Sequence, residues 1–206
     1  MSGFADYDAL VVVDMQNDFV RQEAPLEVAD ARDTIAAHLS LLEAFRAAGK
    51  TVCFTRFLST PFRSLLWTWS PQCEPPVKCC WKGHQRGYPD IDGERDCSQI
   101  IDEFTVQDED LVVEKFGYGA FHGTALADLL RARGVESIAL TGTVTQICVE
   151  ETGREAFHHG FQTTMVADAV SSFDPELHAA TLKNFAMKFG WVRDSAEVIA
   201  ALANRG

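Results

Sequence analysis

Two hydrophobic periods alternate along the chain. Nearly unbroken apolar runs recur at residues 8–14 (DALVVVD), 50–57 (KTVCFTRF), 110–116 (DLVVEKF), 136–142 (ESIALTG) and 161–168 (FQTTMVAD). Runs of this kind suit strands buried on both faces of a parallel sheet. Between them the spacing becomes helical. Residues 31–48 place Ile35, Leu39, Leu42 and Phe45 on one face and stop at Gly49; residues 124–133 gather Leu126, Leu129 and Leu130 and stop at Gly134. Further helices are predicted over 148–159, ending at Gly160, over 175–188, and over 194–203. This alternation predicts an α/β fold, a doubly wound parallel sheet with helices on both faces in three layers.

One segment breaks the rhythm. Residues 58–100 hold five of the seven prolines, three of the four tryptophans (Trp67, Trp69, Trp81) and four of the six cysteines, with no sustained period. An irregular stretch of this length inside a compact domain reads as a lid or an oligomer contact. At 206 residues the chain is expected to form one domain, 1–206, around one core.

Charge narrows the partners. The net charge of −12 opposes nucleic acid and anionic membranes, which leaves a small-molecule substrate as the expected partner. The start, MSGFADYDALVVVDMQ, lacks the basic and apolar regions of a signal peptide, and no apolar run reaches the ~18 residues of a membrane span. A cytoplasmic location is expected, with the cysteines as thiols.

In open α/β sheets ligands bind at the carboxyl ends of the strands. Three strand ends carry reactive groups: Asp14 after the first run, Lys115 at the end of the 110–116 run, and Cys148 after the turn that follows 136–142. Their chemistry fits together. A thiolate is the nucleophile, a carboxylate can accept the thiol proton, and a lysine ammonium with a helix N-terminus favours the anion. The expectation is a thiol pKa below the ordinary value of about 8.5. Backbone N–H groups of the 143–148 turn are candidates for holding an oxyanion.

In LVVVDMQNDF (10–19), VVEKFGYGAFHGTALADLL (112–130) and LTGTVTQICVEETGREAFHHGF (140–161), continuing into VADAVSSF (166–173), the chain resembles the isochorismatase-like cysteine hydrolases. That family includes nicotinamidases, N-carbamoylsarcosine amidohydrolases and ureidoacrylate amidohydrolases, and implies a Rossmann-like three-layer sandwich. The resemblance implies Asp14 as catalytic base, Lys115 as catalytic lysine and Cys148 as nucleophile. It also implies a cis peptide between Thr143 and Val144 that, with Cys148, aims backbone donors at an oxyanion.

Departures from the family pattern sharpen the expectation. Members that cleave isochorismate lack this cysteine. The metal-binding Asp-x-His motif of nicotinamidases is replaced by Thr55-Arg56-Phe57-Leu58-Ser59-Thr60-Pro61. The resemblance therefore implies hydrolysis of a linear amide, carbamoyl or ureido C–N bond, with no metal and no cofactor. Nicotinamidase-type and isochorismatase-type hydrolysis are the alternatives. Phe19 and Phe121 are candidate pocket walls, and Arg56, Arg63 and Arg86 are candidates for gripping a substrate carboxylate. The family also implies a homo-oligomer, a dimer or tetramer. A rival of another class is a non-catalytic interaction protein, or one stabilised by zinc on Cys73, Cys79, Cys80, His84 and Cys97.

Overall fold

The strand Ala9–Val13 (β1) is buried on both faces, as its unbroken apolar sequence requires. The computed structural model describes residues 7–203. After β1 come a short helix Asn17–Val20 (α1), helix Ile35–Ala47 (α2), strand Thr51–Phe57 (β2) and helix Leu65–Trp69 (α3). Two short strands, Gln85–Gly87 (β3) and Glu94–Asp96 (β4), then form an antiparallel pair. Strand Leu111–Lys115 (β5), helix Leu126–Ala132 (α4), strand Ser137–Thr143 (β6) and helix Glu150–His158 (α5) follow. The chain continues through strand Gln162–Ser171 (β7), helix Pro175–Lys188 (α6), strand Trp191–Arg193 (β8) and helix Ser195–Ala203 (α7).

The main sheet has six strands in the order β5-β2-β1-β6-β7-β8, and every pairing in it is parallel. The order in which strands are added switches from one side of β1 to the other between β5 and β6, which opens a crevice between β1 and β6 where ligands bind in such folds. β1 divides the core. Leu10 and Val12 pack with Leu41, Phe45 and Val198 under α2 and α7. Val11 and Val13 pack with Leu126, Leu130 and Phe185 under α4 and α6.

Two helical faces differ from the spacing expected of them. The buried stripe of α2 is His38, Leu41, Leu42 and Phe45, while Leu39 is exposed. A histidine inside the stripe reads as polar in the sequence, and the apparent face shifts by about one position. In α4, Leu126 and Leu130 are buried and Leu129 lies at the edge of the stripe, exposed.

The irregular segment is tied down by the residues that follow β1. The Gln16 side chain donates to Phe57 O and Ser98 O and accepts from Phe57 N. Asn17 N donates to Gln99 O, and its side-chain amide donates to Asp96 O. Asp18 accepts from Cys80 N, Arg86 Nε and the Tyr88 hydroxyl. Backbone bonds at Asp18 N–Cys97 O and Ile101 N–Met15 O complete the seam. Phe62, Leu65 and Trp69 stay exposed on the outer part of the segment. Among the described residues, no helix is long and apolar enough to cross a membrane.

Candidate active site

Asp14, Lys115 and Cys148 meet at the carboxyl edge of the sheet. Asp14 follows β1 directly and takes a left-handed φ of 51°, uncommon for a residue with a side chain. Lys115 is the last residue of β5, two strands away, and reaches across β2. Its Nζ lies 2.7 Å from Asp14 Oδ2, and both side chains are fully buried. The ammonium also donates to Gly117 O at 3.0 Å and Tyr118 O at 2.7 Å. From β2, Thr55 Oγ1 donates to Asp14 Oδ1 at 2.7 Å and accepts from Asp14 N at 3.2 Å. Asp14 Oδ2 faces the ammonium but is left without a well-aligned hydrogen bond.

Cys148 sits in a π-turn, Thr145–Val149, inserted between β6 and α5. Such turns recur at functional sites. The Thr143–Val144 peptide that precedes the turn is cis. Gly142 makes the local geometry possible: its φ is +111°, and a Cβ there would meet Val13 O at 2.0 Å. That contact lies at the β1–β6 boundary, where the crevice opens.

The electrostatics correct one expectation. Burial pushes the Cys148 thiol up to about 12; Lys115 opposes this and the Asp14 carboxylate adds to it. The resting group is thus a neutral thiol, because a carboxylate beside it and loss of water outweigh one ammonium. Burial would lower the Lys115 pKa, but Asp14 and Cys148 beside it hold it above the ordinary value. Burial thus favours a proton on the sulfur, beside the Lys115–Asp14 ion pair.

A cavity of about 430 Å³ opens onto Cys148. Phe19, Leu26, Phe57, Tyr118, Ile147 and Phe173 form most of its apolar wall, with Trp69 and Ser70 of the irregular segment at its border.

Residues 8–197 match the family model described as the isochorismatase domain. The chain belongs to the isochorismatase domain family. Nicotinamidase 3 of Arabidopsis thaliana is 34% identical over 90% of this chain and 84% of its own length. The ureidoacrylate amidohydrolase RutB of Rhizobium rhizogenes is 32% identical over 89% of this chain and 78% of its own. Among solved structures, a cysteine hydrolase from Pseudomonas syringae pv. phaseolicola superposes with a TM-score of 0.84 at 27% identity. It spans 95% of this chain and 92% of that one.

Within this isochorismatase-family fold the other candidate residues separate. Phe19 lines the cavity. Phe121 does not; its ring stacks on His159 and packs against Phe161 in the core. None of the three arginines lines the cavity. Arg56 is buried elsewhere, donating to Ser98 O and Oγ and facing Glu114. Arg86 is held by Asp18 and Val77 O. Arg63 is exposed on the irregular segment. Position near the lid in sequence did not translate into direction, because each buried guanidinium first satisfies its own backbone and carboxylate partners.

The cysteines of the segment do converge. Among the described residues, Asp18, Cys79 and Cys80 place potential ligand atoms within 4.8 Å of one another. His84 is not part of that group. Both Asp18 oxygens are already occupied, by Cys80 N–H on one side and by Arg86 and Tyr88 on the other. With a guanidinium on its carboxylate, the cluster fits a packed seam better than a cation site.

Sequence reasoning missed Thr55, Glu27, Phe57, Trp69, Tyr118 and Phe173. Thr55 was legible as a polar residue near the end of a buried strand beside Asp14's; the wall residues needed the loops to be placed.

Proposed function

We propose that this isochorismatase-family protein is a cysteine-dependent amidohydrolase that cleaves a C–N bond of a small amide, carbamoyl or ureido compound through a thioester and releases ammonia. The observation that carries the reading is the contact of a cavity-lining thiol with a buried Lys115–Asp14 pair whose Oδ2 lacks an aligned hydrogen bond. Relatives named as nicotinamidase, ureidoacrylate amidohydrolase and cysteine hydrolase support it.

Asp14 accepts the thiol proton as sulfur attacks the carbonyl carbon, so a free thiolate need not accumulate. Backbone donors around Val144 and Cys148 face the developing oxyanion. Collapse breaks the C–N bond, and Asp14 returns the proton to the departing nitrogen as ammonia. Asp14 then takes a proton from water, which attacks the thioester; sulfur leaves and recovers its proton. Lys115 stays protonated throughout and stabilises each anion in turn.

The test is partitioning. With a turned-over amide, added hydroxylamine is expected to intercept the thioester and yield hydroxamate beside the acid, while ammonia release continues. Ammonia release with no hydroxamate at any hydroxylamine concentration contradicts the covalent route.

A further inference from the structure

We infer that the site selects a neutral substrate with an apolar acyl group, and discriminates against substrates that carry a carboxylate. The inference rests on the amidohydrolase reading and refines it.

The first reason is that, among the described residues, no positively charged side chain lines the cavity. Lys115, the cation beside the thiol, is fully buried, donates to Gly117 O and Tyr118 O, and is paired in charge with Asp14. Its charge is balanced by Asp14, and it is not among the residues that line the cavity where a substrate carboxylate would lie. Arg56 and Arg86 are held by their own partners, and Arg63 is not among the wall residues.

The second reason is that, among the described residues, the one charged side chain in the wall is negative. Glu27 borders the cavity. Arg32 donates to Glu27 Oε1 at 2.7 Å, and Oε2 accepts from Glu23 N. Arg32 is spent on this carboxylate and on Val20 O. An entering carboxylate would therefore lose water, meet no cation and face Glu27, a costly combination.

The third reason is the wall itself. Phe19, Phe57, Trp69, Tyr118 and Phe173 present aromatic surface around a volume of about 430 Å³, room for a ring or a branched aliphatic group beyond the scissile amide.

A matched pair of primary amides tests this: benzamide against 4-carboxybenzamide, followed by ammonia release. The neutral member is expected to have the higher kcat/KM by on the order of 100-fold. Glu27→Gln is expected to narrow the gap by raising the value for the charged member. Alkylation of Cys148 by iodoacetamide against iodoacetate, each normalised to glutathione, reads the same discrimination without turnover and is expected to favour the neutral reagent. Equal or better turnover of 4-carboxybenzamide, or normalised alkylation that favours iodoacetate, overturns the inference alone. Absence of ammonia from every amide and ureido acid offered, with the alkylation bias intact, instead overturns the amidohydrolase reading and leaves a neutral-selective thiol pocket.

Discussion

Asp14 and Asp18 lie one helical turn apart in sequence, and both are fully buried, yet the fold uses them in opposite ways. Asp18 is saturated: Cys80 N–H, Arg86 and Tyr88 occupy its two oxygens, and through them it fastens the irregular segment to the sheet. Asp14 is held by Thr55 on one oxygen, while the other faces Lys115 without an aligned hydrogen bond, and the carboxylate lies beside Cys148. A buried carboxylate with donors on both oxygens is a structural tie. One with an oxygen left unbonded beside a cavity-lining thiol is equipped to move a proton.

The largest expected difference between the two is in turnover. Asp14→Asn keeps the shape but removes the base of both chemical steps, and is expected to lower kcat by about 10³-fold or more in protein that remains folded, while also costing stability because the buried Lys115 ammonium loses its counter-charge. Comparable activity in this variant would remove Asp14 from the mechanism. Asp18→Asn is expected to cost stability while leaving turnover nearly unchanged. It leaves Arg86 partly buried opposite a neutral amide, and denaturant titration should register a loss of about 3 kcal/mol. An unchanged midpoint would mean the Asp18 seam contributes nothing to stability.

His38 sharpens the comparison, because an unpartnered buried atom is not by itself a catalytic one. Its Nε2 has no hydrogen-bond partner, Nδ1 lies 2.9 Å from Thr34 O, and the ring rests against Phe104 rather than at the cavity. Burial, only partly offset by the Thr34 carbonyl, lowers its pKa from the ordinary 6.5 to about 4. The unfolded chain takes up that proton near pH 6.5, and the folded one resists until about 4. Stability is thus present above the upper value and falls as pH falls through the window, by up to about 3 kcal/mol. His38→Gln is expected to flatten that slope in unfolding measured from pH 7 to 4, without changing the pH profile of kcat. An unaltered slope would assign the acid sensitivity to other groups.

The smallest effect concerns the thiols. Cys148 lines the cavity, whereas Cys53, Cys73, Cys79, Cys80 and Cys97 are buried away from it. Cys148 is expected to alkylate first, several-fold ahead of the others, at a rate that keeps climbing with pH past 8.5 because its pKa is raised. A plateau near neutral pH would indicate a thiolate at rest, the form expected from a helix N-terminus and a lysine alone.

The sheet was legible because its strands are apolar on both faces: the runs at 8–14, 50–57 and 136–142 correspond to β1, β2 and β6 within about a residue at each end. Strand order then carried Asp14, Lys115 and Cys148 to one edge. Less was legible where long-range polar partners decide direction. Arg56 flanks the irregular segment and Arg86 lies in it, yet they turn to Ser98 and Asp18, and no local period reports that choice. The thiol's titration departs from the sequence expectation for a related reason. Lysine and helix terminus are visible in sequence, but complete burial is not, and burial dominates.

The most direct measurement is ammonia release by Cys148→Ser, with folding checked by circular dichroism, on an amide that the parent protein turns over. Serine keeps the size and the hydrogen-bonding atom but is a far weaker acid, so Asp14 cannot activate it in the same way. The expected result is a folded protein with turnover reduced by about 10³-fold or more. A folded Cys148→Ser protein that hydrolyses the amide at near the parent rate would contradict attack by Cys148, and with it the function of the Lys115–Asp14 pair as base and charge stabiliser for that attack.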